Sequence, residues 1–304
     1  MSAVPVLFVL ASNYSGSHLL ANVLGAHTRC ADVGELRNLR KFLARPGRNR
    51  SGTESTYASS ELFSGLMTQP ETHWHAHLLE RLRGDDPDLS VLVDNSKRTD
   101  WIERLVASGA VDARCVHLLR DPRAIARRWR DTFAAQGVSR RNRWREAKRS
   151  WRAAPAILAG PEMGVYAWRW LRENAAIADF LARHFPAAPR VSYEELLAFP
   201  ERTLEGLMPR LGLEFERGQL DYGRAMQFGT RKGAWESARV DSAWQADERW
   251  LQETTASERA AVTGVASLRT LLAGFGYEMG VRGLQRCAGA SGPGDEQEEE
   301  RDDG

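Results

Sequence analysis

From Val4 to Ala11 the chain is continuously apolar, and from Ser17 to Ala26 apolar residues return at helical spacing, with Leu19, Leu20, Val23 and Leu24 on one face. The first run reads as a buried strand and the second as a helix packed on it. The alternation recurs: "LSVLVDNS" (89–96) and "ARCVHLLRD" (113–121) read as two more strands, with a short helix at Trp101–Ala107 between them. Before the second strand come a polar loop from Arg45 to Thr56 and helical patterns near 59–67 and 73–83. After the third strand, helices are expected near 123–136, 140–152, 165–184, 200–211 and 256–274, interrupted by a short strand "RVSYEEL" at 190–196. Strands joined through helices imply an α/β protein, a three-layer α/β/α domain around a central, mostly parallel sheet. In such sheets ligands sit at the carboxyl ends of the strands. The expected organisation is one domain over 1–282, followed by a disordered Gly- and Glu-rich tail over 283–304.

Composition agrees with one globular unit: 304 residues, 42% hydrophobic and 27% charged, with ten Trp, can bury a large core. A net charge of +2 averages an acidic end, "DEQEEERDD" at 295–303, against a more basic body, which therefore favours anionic partners. Three cysteines (Cys30, Cys115, Cys287), odd in number and without a C-x-x-C pair, indicate neither a disulfide framework nor a zinc site. No other metal-ligand cluster is visible. The start "MSAVPVLFVLAS" lacks a basic n-region and no apolar stretch nears 18 residues, so no export signal or membrane span is expected and the location expected is cytoplasmic.

The break between the first strand and its helix, Ser12-Asn13-Tyr14-Ser15-Gly16-Ser17, offers the free N–H groups and positive dipole end of a helix start to an anion. Gly16 allows a tight curl, Ser15 and Ser17 add hydroxyls, and Ser17 can cap the helix. A Ser-capped helix after a plain turn is the equal alternative. Without a Gly-Lys-Ser/Thr sequence, this is not the phosphate loop of a nucleoside-triphosphate enzyme. At the third strand's end, Arg120 would point into the same crevice, and Pro122 of Asp121-Pro122-Arg123 is pre-set for a helix start.

These two segments together resemble the sulfotransferase family. Its members carry a Lys/Arg-Ser/Thr-Gly-Ser/Thr-Thr loop for the 5′-phosphosulfate of 3′-phosphoadenosine 5′-phosphosulfate (PAPS), and a later Arg-Asp-Pro-Arg-Ala segment ending in Ser for the 3′-phosphate. The counterparts are Tyr14-Ser15-Gly16-Ser17-His18 and Arg120-Asp121-Pro122-Arg123-Ala124. Further pieces agree in order: "GAHTRCADVGEL", "VDNSK", "VSYEELLAFPERTLEGLMPRLGLEF" and "TRKGAWES" resemble stretches of tyrosylprotein, bacterial and cytosolic members, over roughly residues 4–280. The resemblance implies a P-loop NTPase-like sulfotransferase fold and PAPS as co-substrate, without a metal. It places Asn13, Tyr14, Ser15, Gly16, Ser17, His18, Arg120, Arg128, Arg231, Lys232 and Gly233 around the nucleotide. Two positions depart from the pattern: Tyr14 stands where the family has its loop cation, and Arg128 where it has Ser. The charge that stabilises the leaving oxygen must then come from Lys97 or another cation, while Arg128 can still grip a phosphate through its forked donors.

An acceptor's proton needs a base, and Glu35 in "VGEL", resembling the stretch that supplies it in some relatives, is the first candidate; a surface Glu at a helix start is the alternative. His18, beside the loop, is the second, against a capping or packing role. Lys97 could reach the leaving phosphate or the sulfuryl oxygens, or be an exposed loop lysine. His117, inside a strand's apolar run, reads as a core histidine with a backbone partner.

The segment "SRRNRWREAKRSWR" (139–152) sets seven cations against Glu146, with Trp144 and Trp151 seven residues apart on one helical face. It reads as a solvated basic face with both Trp packed inward, or as a cradle for the nucleotide or an anionic acceptor such as an acidic glycan or small metabolite. Inward Trp would argue against nucleic acid, and a membrane surface would need a wider apolar face. The oligomeric state is left open. The function expected is sulfuryl transfer from PAPS to a hydroxyl or amine. The alternatives are a sulfotransferase-like module that lost catalysis and binds adenosine bisphosphate or a polyanion, and a P-loop-like small-molecule kinase.

Overall fold

A computed structural model describes residues 3–44, 57, 60–222, 226–227, 230–231 and 244–289. The core is a parallel sheet of β1 (Val4–Ala11), β2 (Cys30–Gly34), β3 (Val91–Asp94), β4 (Val111–Leu119) and β5 (Arg190–Ser192). Two short strands, β6 (Met226–Gln227) and β7 (Thr230–Arg231), extend it to the order β5-β4-β1-β3-β2-β6-β7. The central strand β1 pairs with β4 from Val4 against Val111 to Ala11 against Leu118, and with β3 on its other side.

Both faces of β1 are buried, which is why its sequence reads as an uninterrupted apolar run. Val6, Phe8 and Leu10 pack with Trp74 and Trp101 on one face, and Leu7, Val9 and Ala11 with Leu20, Val23 and Leu24 of helix Ser17–Gly25 on the other. A third cluster joins Trp129, Tyr166 and Trp170 to Leu268, Leu272 and Tyr277, fixing helices Pro122–Ala135 and Glu162–His184 against the chain's later helices. No described helix is long and apolar enough to cross a membrane.

The structure corrects the expected element boundaries at five places. Cys30–Gly34 is a fully buried strand; its interior Asp32, whose Oδ1 accepts the Gly34 N–H at 2.8 Å, hides it from an apolar-run reading. The strand at 190 ends at Ser192, whose hydroxyl accepts the Glu195 N–H at 3.0 Å and so starts a helix at Tyr193. The span 256–274 is two helices that meet at Gly264 and Val265. The ordered chain passes 283: β8 (Tyr277–Met279) and β9 (Leu284–Arg286) form a hairpin, pinned by Arg286 to Glu195 at 2.7 Å. Residues 290–304, with the acidic end, lie outside the described residues. Finally, helix Ser139–Arg149 stops before Trp151, which begins a separate 3₁₀ turn, so the two Trp do not share a helical face. Neither packs inward: Trp144 is 60% and Trp151 71% exposed, which removes the ground on which nucleic acid was set aside.

Candidate active site

Each parallel strand delivers something to one crevice at its carboxyl end: β1 the 12–17 loop, β2 Glu35, β3 Lys97, β4 Arg120 and β5 Tyr193. The loop is a built cradle. Gly16, at φ 89°, precedes the helix, and no side chain caps that end, so Ser17 is not the cap that the sequence suggested. The first-turn N–H groups are therefore available to an anion. Ser15 is buried and its hydroxyl is bonded to Ser12 Oγ at 2.8 Å, which ties the loop to the strand end. The Ser17 hydroxyl has no partner among the described residues. Gly16 is needed twice over, since a Cβ there would meet Tyr193 Cδ2 at 2.5 Å in a backbone conformation L residues disfavour.

Among the described residues two non-glycines have positive φ, Tyr14 at 70° and Lys97 at 59°, and both lie in this crevice. Strain of this kind persists where the surroundings over-determine the backbone. At Lys97 the surroundings are visible: buried Asp94 accepts the Ser96 N–H at 2.8 Å, Trp101 Nε1 at 3.0 Å and pairs with His75 at 3.1 Å. This fixes the strand end just before Lys97.

Lys97, Glu35 and His18 converge. Lys97 Nζ lies 2.6 Å from Glu35 Oε1, His18 Nε2 lies 3.3 Å from the same oxygen, and Asn38 Nδ2 donates to Oε2 at 2.6 Å. Asn95 Nδ2 sits 3.1 Å from His18 Nδ1. Glu35 is not the surface residue that one reading allowed, being 15% exposed at its side chain, nor is Lys97 an exposed loop lysine. Burial pushes the Glu35 carboxyl up, but the His18 hydrogen bond and the Lys97 charge outweigh it and hold the group at about 2.

Arg120 closes the opposite wall. Its Nη1 donates to the Tyr14 carbonyl at 3.0 Å, its Nη2 lies 3.4 Å from Asp247 Oδ2, and its guanidinium stacks 4.2 Å from the Tyr193 ring centroid, while Nε is buried without a partner. Asp247, which the sequence did not single out, is also gripped by Arg249 at 2.7 and 2.9 Å. Those Arg249 hydrogen bonds, with the Arg120 charge, hold its carboxyl well below the usual range despite burial. Asp247 thus stands as an anion between two arginines. Behind them burial and the Asp121 charge push the Glu194 carboxyl up to about 8. The Asp121-Pro122-Arg123 start forms as expected, with Asp121 accepting the Arg123 N–H at 2.7 Å.

The remaining candidates divide. Arg128 is on the exposed side of its helix with its guanidinium 5.4 Å from the Tyr14 ring centroid, so the two departures from the family pattern touch each other. Asn13 is exposed at the crevice mouth. Arg231 belongs to β7, with β1, β3, β2 and β6 between it and β4, so its backbone is not beside Arg120. Its side chain, with Lys232 and Gly233, lies outside the described residues. His117 is buried as expected, but its partners are the side chains of Asn174 (3.0 Å) and Arg190 (3.2 Å). No group of three or more potential metal-ligating side chains occurs among the described residues.

A profile described as "Sulfotransferase family" matches residues 5–217. The fold is similar to the sulfotransferase domain from the Synechococcus PCC 7002 olefin synthase, at 16% identity and a TM-score of 0.51 over 92% of this chain and 97% of that one. The sulfotransferase domain from the curacin biosynthetic pathway is similar at 15% identity and 0.48, over 88% and 99% of the two chains. No curated protein matches the chain significantly in sequence.

Proposed function

The chain belongs to the sulfotransferase family, and from that premise we propose that it transfers a sulfuryl group from PAPS to a hydroxyl or amine of an acceptor. The observation that carries the reading is the uncapped helix start at Gly16 facing Arg120, an anion cradle whose two walls are bonded to each other through the Tyr14 carbonyl. The residues present fit the nucleotide: Arg120 keeps a buried Nε without a partner, and the anion position between Arg120 and Arg249 is held by Asp247. PAPS supplies a sulfur–oxygen bond to its 5′-phosphate that breaks as the acceptor's oxygen or nitrogen bonds to sulfur.

The chain's own residues orient and neutralise. The loop N–H groups and Arg120 bind phosphate oxygens, charge stabilisation that acts most strongly out of water. Glu35 takes the acceptor's proton, with His18 beside it as the next proton holder. A carboxylate near 2 is a poor base; we assign Lys97 the role of releasing it, because a Lys97 drawn toward sulfuryl or phosphate oxygens no longer depresses Glu35. Arg128 supplies the loop cation that Tyr14 lacks. A binding module without catalysis is the second reading, and the one observation for it is Tyr14 itself.

Transfer of radiolabelled sulfate from PAPS across a panel of hydroxyl and amine acceptors tests the reading. We expect turnover in the wild type, a loss of at least a hundredfold in Glu35→Gln, and a kcat/KM, which reports the free enzyme, that persists on the acid side below pH 4.5, since the carboxyl there ionises at about 2. In Lys97→Met the acid limb should move up toward 4.5, because a group with a depressed value stays charged only down to that value. No transfer to any acceptor, with nucleotide binding intact, would favour the binding module.

A further inference from the structure

Helix Ser139–Arg149 and the turn after it carry cations that the transfer reaction does not use. Arg140, Arg141, Arg145, Lys148, Arg149 and Arg152 have no ion-pair partner among the described residues. Between this helix and Glu162–His184 lies a cleft of about 180 Å³ into which Arg145 and Arg149, one turn apart, project with Arg169. Its carboxylate, Glu146, is already taken by Arg172 at 2.6 and 3.1 Å. Arg169 is held in place by stacking 4.4 Å from the Trp129 ring and pairing with Glu173 at 2.9 Å. The Asn142 side chain lines the same cleft, and its Nδ2 is buried without an acceptor. Two guanidiniums without a carboxylate partner among the described residues, a third paired with Glu173, and an unpaired amide donor leave this cleft short of acceptors, which an anion would supply.

A second cavity of about 290 Å³ adjoins the first and shares Arg149. Its walls add the apolar faces of Trp151, Trp168 and Leu171 to the cations Arg149, Arg152 and Arg172. Trp151 is 71% exposed there, with the Arg152 guanidinium 5.2 Å from its ring. One lobe thus offers forked cationic donors and the other a flat apolar wall. Neither lobe contains a residue of the nucleotide crevice. Phe133, on the first lobe's wall, lies about 16 Å along its helix from the Pro122 end, by the helical rise.

We propose that these two lobes form a binding site, separate from the nucleotide crevice, for a small molecule with a ring that bears one anionic group: a sulfate, phosphate or carboxylate. The anion sits among Arg145, Arg149 and Asn142 Nδ2, and the ring lies against Trp151 and Trp168. The cationic lobe, about 180 Å³, corresponds to about six waters at the roughly 30 Å³ that each occupies in the liquid, which is room for one oxyanion with its nearest waters. The site stands whether or not the transfer reaction is as proposed.

Calorimetric titration with 4-nitrophenyl sulfate and, separately, inorganic sulfate, with the nucleotide crevice saturated by adenosine 3′,5′-bisphosphate, tests it. The aryl sulfate should bind at least tenfold more tightly than inorganic sulfate. Arg145→Ala/Arg149→Ala should weaken both ligands at least tenfold, and Trp151→Ala should reduce the aryl preference below threefold while leaving inorganic sulfate unchanged. All these positions are exposed, and the affinity for adenosine 3′,5′-bisphosphate should be the same in every variant, which also reports a folded chain. Aryl sulfate binding that survives the double arginine substitution, or equal affinity for the two sulfates, overturns the proposal. So does binding of a single-stranded oligonucleotide, lost in the arginine variant, by a protein that ignores the aryl sulfate.

Discussion

Replacing Arg120 by alanine should weaken adenosine 3′,5′-bisphosphate by thirtyfold or more, about 2 kcal/mol for a charge-assisted partner of a partly buried phosphate. The expectation is large because one side chain holds three things at once: the Tyr14 carbonyl, the Asp247 position and the face of Tyr193. Its removal takes a cation from the wall and also frees the loop. Arg120→Lys separates these effects, since it keeps the charge but lacks the fork that spans Tyr14 and Asp247; it should fall between alanine and the wild type. Calorimetry gives the dissociation constants, and an unchanged value in Arg120→Ala would mean that the phosphates bind elsewhere.

The second large effect concerns the contact between Tyr14 and Arg128. With the family's loop cation replaced by Tyr14, the Arg128 guanidinium that meets that ring is the substitute we assign. Arg128→Ser should therefore reduce the transfer rate roughly a hundredfold, the scale seen when a single transition-state donor is removed. Adenosine bisphosphate affinity should hardly change, because that ligand has no sulfuryl group and the lost interaction belongs to the transition state. Adding Tyr14→Lys in the Arg128→Ser background restores the family arrangement and should recover most of the rate. Tyr14→Lys alone brings two cations together and should gain less than the double variant. If Arg128→Ser turns over as fast as the wild type, the loop cation is not Arg128. If the double variant shows no recovery, position 14 does not face the sulfuryl group.

Where one physical signal dominated a segment, the sequence read true. The run Val4–Ala11 is buried on both faces, and the helix start at Pro122 combines a fixed φ with an Asp cap, so both were legible. Legibility failed where two signals overlapped. Asp32 breaks the apolar run of β2 because its carboxylate serves the backbone of Gly34, a role no periodicity reveals. Val191-Ser192-Tyr193-Glu194 alternates like a strand, but the Ser192 hydroxyl caps a helix, and local capping prevailed. Trp144 and Trp151 have helical spacing only if the helix continues, and it ends at Arg149.

In the site, the loop, Glu35, Lys97 and Arg120 were legible because each follows a strand, where topology alone brings residues together. Asp247 and Arg249 were not: they come from a segment far along the chain, with no strand before them to say where they return. Arg128 was assigned to a phosphate by analogy of position, whereas its contact with Tyr14 depends on which side of the helix meets the loop. The signal that could have found it is the coincidence of two departures, a cation lost at one position and gained at the other.

The central claim is a crevice built for an adenosine nucleotide with a 3′-phosphate, and thermal unfolding with adenosine 3′,5′-bisphosphate beside ATP tests it most directly. A ligand that binds only the native chain stabilises it by RT ln(1 + L/Kd) at free ligand concentration L, so the melting temperature rises with the logarithm of ligand concentration above Kd. We expect a clear rise that grows with the bisphosphate concentration, is lost in Arg120→Ala, and is small or absent with ATP, whose triphosphate finds no Gly-Lys-Ser/Thr loop. Equal shifts with the two nucleotides, or none with either, would contradict it.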